Sequence, residues 1–285
     1  MDKNEVHALI ALLEDPDHDI YFQVRNKLVE LSIEIIPDLE NAWEMNFDSL
    51  MQNRAEQIIH EIQFNFTKNE LKDWINSREK DLTKAWLLLS RHQYPDLDLN
   101  SVALKIEQLA KEVWVELNDN LTPLEKTRLI NHILFKVHEF RGNVRNFHAP
   151  QNSFASDILS TKKGNPLSLS VLYLIIAQKC GVPIQGVNLP KHFIIAYTHE
   201  DLHGGDPVKF YINPFSQGTI LSRQDLERFV KKENLELKTA FFTPCSNRAI
   251  IKRLLTNLLH SYSIQGIKEK AEEIQELLQL FITKK

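Results

Sequence analysis

Glycine is absent from the first 141 residues of this chain, and cysteine, with two residues in 285, is nearly absent from all of it. Two cysteines without metal-ligand spacing point to a reducing compartment, with the cytoplasm as the default location. An excess of positive charge is missing as well: 34 lysines and arginines face 38 acids, for a net charge of −4. No bulk positive field is available to neutralise a nucleic-acid backbone or an anionic membrane, which argues against both as partners. Long apolar runs are missing too. The longest, Val171 to Ala177, is far short of the roughly 20 residues that a membrane helix needs. The start MDKNEVHALIALLEDPD carries an acid at once and an apolar run broken by charge, unlike a secretory signal. Metal chemistry lacks a motif: His192, His199, His203 and Asp206 span a strand and a hairpin tip with no recurrent ligand spacing. No metal site and no cofactor are expected.

What is present is an ordinary globular composition, 43% hydrophobic and 25% charged, enough for a real core and one large or two modest domains. From Asn4 to about Leu117 the apolar residues recur at spacings of three and four, as at Val6, Leu9, Ile10 and Leu13 and then Val24, Leu28 and Leu31, so this half is helical. Its opening, a short helix, an Asp-Pro-Asp turn and a longer helix before Pro37, resembles a HEAT-type repeat. A degenerate second copy is read in FDSLMQNRAEQIIHEIQFNF. Residues 1–80 are thus expected as a HEAT-like helical cap and 81–140 as a second helical domain, with helices at Leu82–Arg91, Ser101–Leu117 and Pro123–Val137. Thr122-Pro123-Leu124-Glu125 is an N-cap signature for the last of these.

The organisation changes at Gly142. Gly142, Asn143, Asn146, Pro150 and Asn152-Ser153 make a turn-rich connector, and KKGNPLSLSVLYLIIAQKCGVP then opens an apolar helix with a Gly-Asn-Pro turn. The spacing predicts that helix from Pro166 or Leu167, with Asn165 as N-cap and Pro166 as first helical residue. PIQGVNL, HFIIAYTH and VKFYINP read as strands of a small antiparallel sheet, the last two joined by a hairpin through Gly204-Gly205. After Ser222 the chain is helical again, and the stripes Ile250, Leu254, Leu258 and Ile267, Ala271, Ile274, Leu278 predict an αα-hairpin over 246–285. The fold class is α+β, predominantly α.

A helix followed by strands, with a histidine opening the second strand and an Asn-Pro ending the third, resembles the transglutaminase-like superfamily, whose papain-type core places a nucleophile at a helix start. The blocks DLTKAWLLLSRHQYPDLD, GNPLSLS, GVNLPKHF and YINPFSQG resemble, in this order, the SirB-type bacterial proteins. That likeness covers Asp81 to Leu259, and it implies a helical domain at 81–140 followed by a transglutaminase-like core at 141–245. It also implies where a catalytic triad would fall. The cysteine's place, on the first turn of the core helix, is taken by Pro166, and the other two members fall on His192 and Asn213. Proline has no nucleophile. Asparagine can orient an imidazole but cannot stabilise its charged form as a carboxylate would.

Cys180 sits at the wrong end of the helix among apolar residues, and Cys245 is expected in a loop, so both read as inert thiols. Ser168 and Ser170 lie within the first turn or so and read as capping or packing serines, with a substitute nucleophile as the sharper alternative. Asn152, Ser153, Asn165, His192 and Asn213 are the candidate ligand-binding residues. The leading expectation is a non-catalytic, regulatory protein whose degenerate cleft binds a peptide or protein partner. Two alternatives stay open: a hydrolase or acyltransferase using Ser168 with His192 as base and Asn213 as its orienter, and a scaffold whose terminal helices do all the binding.

Overall fold

The computed structural model describes residues 2–199 and 206–282. The chain divides into two compact units, Met1–Asp73 and Trp74–Lys285. The regions expected separately at 81–140, 141–245 and 246–285 all fall within the second.

In the first unit, α1 (Lys3–Ala11) and α2 (His18–Glu30) flank the Asp-Pro-Asp turn, and the Asp17 side chain caps α2 by accepting from Asp19 N. α3 (Ile36–Met45) takes Pro37 in its first turn, where the missing N–H costs nothing. The stretch read as a second copy, 47–66, belongs from Ser49 onward to one long helix, α4 (Ser49–Asn76), within which the division falls. Val6, Leu13, Val24, Leu28, Leu39 and Ile58 belong to one apolar cluster. Arg54 is buried against it and its charge is spread over backbone oxygens: Nη1 donates to Leu13 O at 2.7 Å and to Asp15 O at 2.6 Å, with the guanidinium over the Tyr21 ring.

The second unit begins with α5 (Leu82–Gln93), α6 (Leu99–Glu116) and α7 (Pro123–Asn131), close to the expected bounds. Thr122 caps α7 in a reciprocal pair with Glu125. Regular α geometry stops at Asn131, and the rest of the expected helix, His132–Val137, is a wider π turn. The connector holds more structure than its turn residues suggest. A two-residue parallel pairing joins β1 (Arg141–Gly142) to β2 (Lys163–Gly164), and between them lies a short helix, α8 (Ala155–Thr161). Seven residues rich in Ser and Thr are too few to show a helical period.

α9 (Pro166–Lys179) is the axis of this unit, buried at every residue from Pro166 to Ala177. A helix apolar on all sides must be surrounded, and α6 packs against it together with the sheet strands β3 (Ile184–Val187) and β4 (Ile194–Thr198). β5 (Val208–Asn213) completes the three expected strands. Two short strands lie beyond those expected: β6 (Thr219–Leu221) and β7 (Pro244–Cys245), three and two residues long. The antiparallel order is β6-β5-β4-β3-β7. Cys245, expected in a loop, therefore belongs to an edge strand and pairs with Gly186. Ile194 and Ala196 of β4 join Leu226 and Val230 of α10 (Arg223–Lys232) and Phe242 in a second apolar cluster, so β4 is buried at all five residues. The helical tail is the expected hairpin, α11 (Asn247–Gln265) on α12 (Lys268–Gln279), although residues 233–246 ahead of it are largely irregular. The Gly204-Gly205 hairpin lies outside the described residues.

Candidate functional site

The Gly-Asn-Pro-Leu-Ser stretch is a helix start in which the Asn165 side chain and the Ser168 hydroxyl are each bonded to the other residue's backbone. Asn165 is the N-cap of α9: its Oδ1 accepts from Ser168 N at 2.9 Å, while its own N–H donates to Ser168 Oγ at 3.0 Å. Ser168 Oγ in turn donates to Asn165 O at 3.2 Å. Two orphan N–H groups are satisfied reciprocally, which is a capping box with serine in the return position. Pro166 fills the first helical place. Gly164 is required by proximity, since a Cβ there would stand 2.8 Å from Ser168 Oγ. Ser170 Oγ donates to Pro166 O at 2.7 Å, one turn back. Both serines are fully buried, and their hydroxyls are bonded to the backbone of their own helix start.

A small cleft of about 100 Å³ opens beside this start. Asn165, Pro166 and Leu167 form one wall, and His192, two residues ahead of β4, stands with Lys191 and Phe193 on another. Phe147 and His148 reach in from the connector, and Arg253, Asn257 and His260 come from α11. The rings at this site are in mutual contact. Phe215 meets His192 edge-on at 6.3 Å and Phe147 at 6.0 Å, and His148 lies 5.6 Å from His260. Phe215 holds its place because Gly142 lies under it: a Cβ at Gly142 would be 2.5 Å from the ring.

Asn213 ends β5 near the imidazole and favours its charged form, but burial dominates and, with the nearby Arg253 charge, holds the His192 pKa below its ordinary value. The Asn213 Oδ1 is buried without a hydrogen bond of good geometry, and its Nδ2 donates to Ser216 Oγ at 3.2 Å. Asn213 and His192 are therefore in polar contact and do not form a fixed donor–acceptor pair. Neither cysteine is at this cleft. Burial pushes Cys180, whose Sγ donates to Ala110 O at 3.3 Å, to a pKa of about 11, and Cys245 likewise to about 11.

Of the candidate residues, Asn165 and His192 line the cleft and Asn213 adjoins His192. Asn152 and Ser153 do not line it; both are buried and shape the connector. Asn152 Nδ2 donates to Asn146 O at 2.6 Å and to Phe147 O at 3.1 Å, which brings Phe147 to the cleft. Ser153 Oγ accepts from Asn165 Nδ2 at 3.3 Å. Sequence reasoning missed His148, Arg253, Asn257 and His260. The signal for the last three is their spacing, i, i+4 and i+7 on one face of α11, which reads as solvated unless something is known to cover that face. His199 and Asp206 lie on exposed ends of the sheet, and His203 is outside the described residues. Among the described residues no cluster of His, Cys, Asp and Glu could hold a metal, and no helix is long and apolar enough to cross a membrane.

Two measurements check this geometry. Replacing Asn165 with alanine removes the cap of α9 and a partner of Ser153, and should cost about 1–2 kcal/mol in urea unfolding. A loss below a few tenths would mean that the cap is idle. His192 protonates less readily folded than unfolded, so its contribution to stability is complete above its unfolded pKa of about 6.5. It is lost as pH falls through the lower folded value and then levels off. The urea midpoint of the wild type should fall between pH 7 and 5 more steeply than that of His192→Gln; parallel curves would show an imidazole that titrates freely.

Residues 100–256 match the model of the transglutaminase-like superfamily. The match takes in more than half of the chain, which therefore belongs to that superfamily. Among curated relatives, the chain is 29% identical over 189 residues to a UPF0162 protein of Xylella fastidiosa, covering 64% of this chain and 65% of that protein. It is 25% identical over 181 residues to a UPF0162 protein of Vibrio cholerae, covering 62% and 65%. It is also 26% identical over 156 residues to F-box only protein 21 of Mus musculus, covering 54% of this chain and 24% of that one. The chain thus spans 65% of the length of the bacterial relatives named here. No solved structure matches it.

Proposed function

We propose that this protein is a non-catalytic, SirB-type member of the superfamily that binds an extended peptide segment of a partner protein in the cleft beside α9, in a regulatory role in the cytoplasm. The observation that carries the reading is Pro166 as first residue of α9 at the cleft wall, in the place where the superfamily likeness implies a cysteine. The side chain there has no nucleophile, while the cleft around it keeps a histidine and an exposed phenylalanine. A cleft too small for a folded domain suits one or two side chains of an extended chain. The serine alternative has no observation in its favour, because Ser168 Oγ both accepts from and donates to the Asn165 backbone and a nucleophile needs that hydroxyl free beside its base.

Selection from a displayed peptide library on the immobilised protein tests the reading, with His260→Trp, which fills the cleft mouth, as counter-screen. Peptides retained by wild type should lose at least about tenfold in affinity on the variant, a change of about 1.4 kcal/mol. Retention by both proteins alike would move binding to the helical units and make the scaffold reading the better one. Amide hydrolysis or acyl transfer by wild type that vanishes in Ser168→Ala would overturn the non-catalytic reading.

A further inference from the structure

We infer that the cleft takes a carboxylate, with Arg253 as its counter-ion, so that the bound peptide presents either a free C-terminus or an acidic side chain. This deepens the peptide-binding reading and rests on it.

Arg253 is partly buried on α11, and its hydrogen-bond partners are neutral. Nη1 donates to Asn188 Oδ1 at 3.0 Å, and Nε makes a longer contact with Asn257 Oδ1 at 3.4 Å. Among the described residues no acid bonds to it, and burial alone lowers its pKa. The cleft lining contains no acidic residue. Lys191, the other fixed cation there, is exposed and paired with Glu233 at 2.8 Å. A guanidinium held partly out of water by two asparagines has lost hydration without gaining a charge partner, a state that a bound anion relieves.

The charge balance selects the kind of anion. Arg253 is the one fixed cation of the cleft without an acid partner among the described residues, and His192 is held toward its neutral form. One unbalanced positive charge suits a monoanion better than a phosphate dianion. The guanidinium has five N–H donors and the two asparagines engage two of them, on Nη1 and Nε, which leaves the Nη2 hydrogens and one on Nη1 for a planar carboxylate. Phe147, 41% exposed at the same cleft, offers an apolar surface to the chain that carries it.

Three probes test this by NMR on the full chain, observing the Arg253 Nε–H and the His192 ring: an acetylated alanine pentapeptide with a free C-terminus, the same peptide amidated, and an amidated pentapeptide with a central glutamate. The free acid, the glutamate peptide or both should shift the two signals saturably, and which of them does so identifies the source of the carboxylate. The amidated alanine peptide should bind at least about tenfold more weakly. Arg253→Gln should abolish the preference; Arg253→Lys, a more conservative variant should the first fold poorly, should weaken it by losing the planar fork. Equal binding of all three probes would overturn the carboxylate while leaving the peptide reading intact. Tighter binding of inorganic phosphate than of either acid would overturn it too, as would no binding of any probe, and the library counter-screen would then decide separately whether peptides use the cleft.

Discussion

Trp86→Ala should destabilise the second unit by about 3–5 kcal/mol, the range for truncating a fully buried tryptophan. Trp86 is completely buried on α5, and its Nε1–H donates to Ser153 O at 2.7 Å. The same Ser153 accepts from Asn165 through its hydroxyl. Truncation leaves both a cavity and a buried carbonyl that has lost its donor, and each has a cost. Trp86→Phe separates them: it keeps most of the ring and loses the donor, and should cost roughly 1–3 kcal/mol. Because α5, the connector and the cap of α9 are joined in one chain of contacts, Trp86→Phe and Asn165→Ala should not add, with a coupling of at least about 0.5 kcal/mol. Hydrogen exchange of the α9 amides reads this unit alone. A Trp86→Ala loss under about 1 kcal/mol, or strict additivity in the double variant, would show that α5 does not support the helix start.

The second large effect concerns the thiols. With pKa values of about 11 at Cys180 and Cys245, native protein at pH 8 should react with iodoacetamide roughly two orders of magnitude more slowly than a free cysteine of pKa about 8.5, because the thiolate is the nucleophile. Both should react at the free rate in denaturant. The cause is burial in each case: Cys180 caps the far end of α9, and at Cys245, on β7 just ahead of the Ser246 N-cap of α11, burial outweighs a backbone hydrogen bond that favours the thiolate. Intact-mass analysis over time would measure it. Native labelling of either residue at the free rate would mean an ionised thiol, and the non-catalytic reading would lose one of its supports.

The local chemistry of the chain is legible in its sequence. Asn165 and Pro166 place the start of α9, Thr122 and Glu125 cap α7, and β-branched and aromatic runs mark β3, β4 and β5, because caps and periodicity depend on residues within a turn or two of each other. The superfamily is legible too, carried by GNPLSLS, GVNLPKHF and YINPFSQG in order. Very short elements are not: β6, β7 and α8 contain too few residues to show a period, and β7 is held by β3, distant in sequence.

The site divides along the same line. Position in a motif is enough to find Pro166 and His192. Asn152 and Ser153 resemble cleft residues in the sequence because both are polar and precede the helix, yet burial and hydrogen bonds turn them inward to hold Phe147 and Asn165. Arg253 and His260 read as the solvated face of a tail helix. They join the cleft because α11 runs past the start of α9, a long-range contact between residues almost ninety positions apart, and no local pattern in a chain records which of its helix faces another segment will cover.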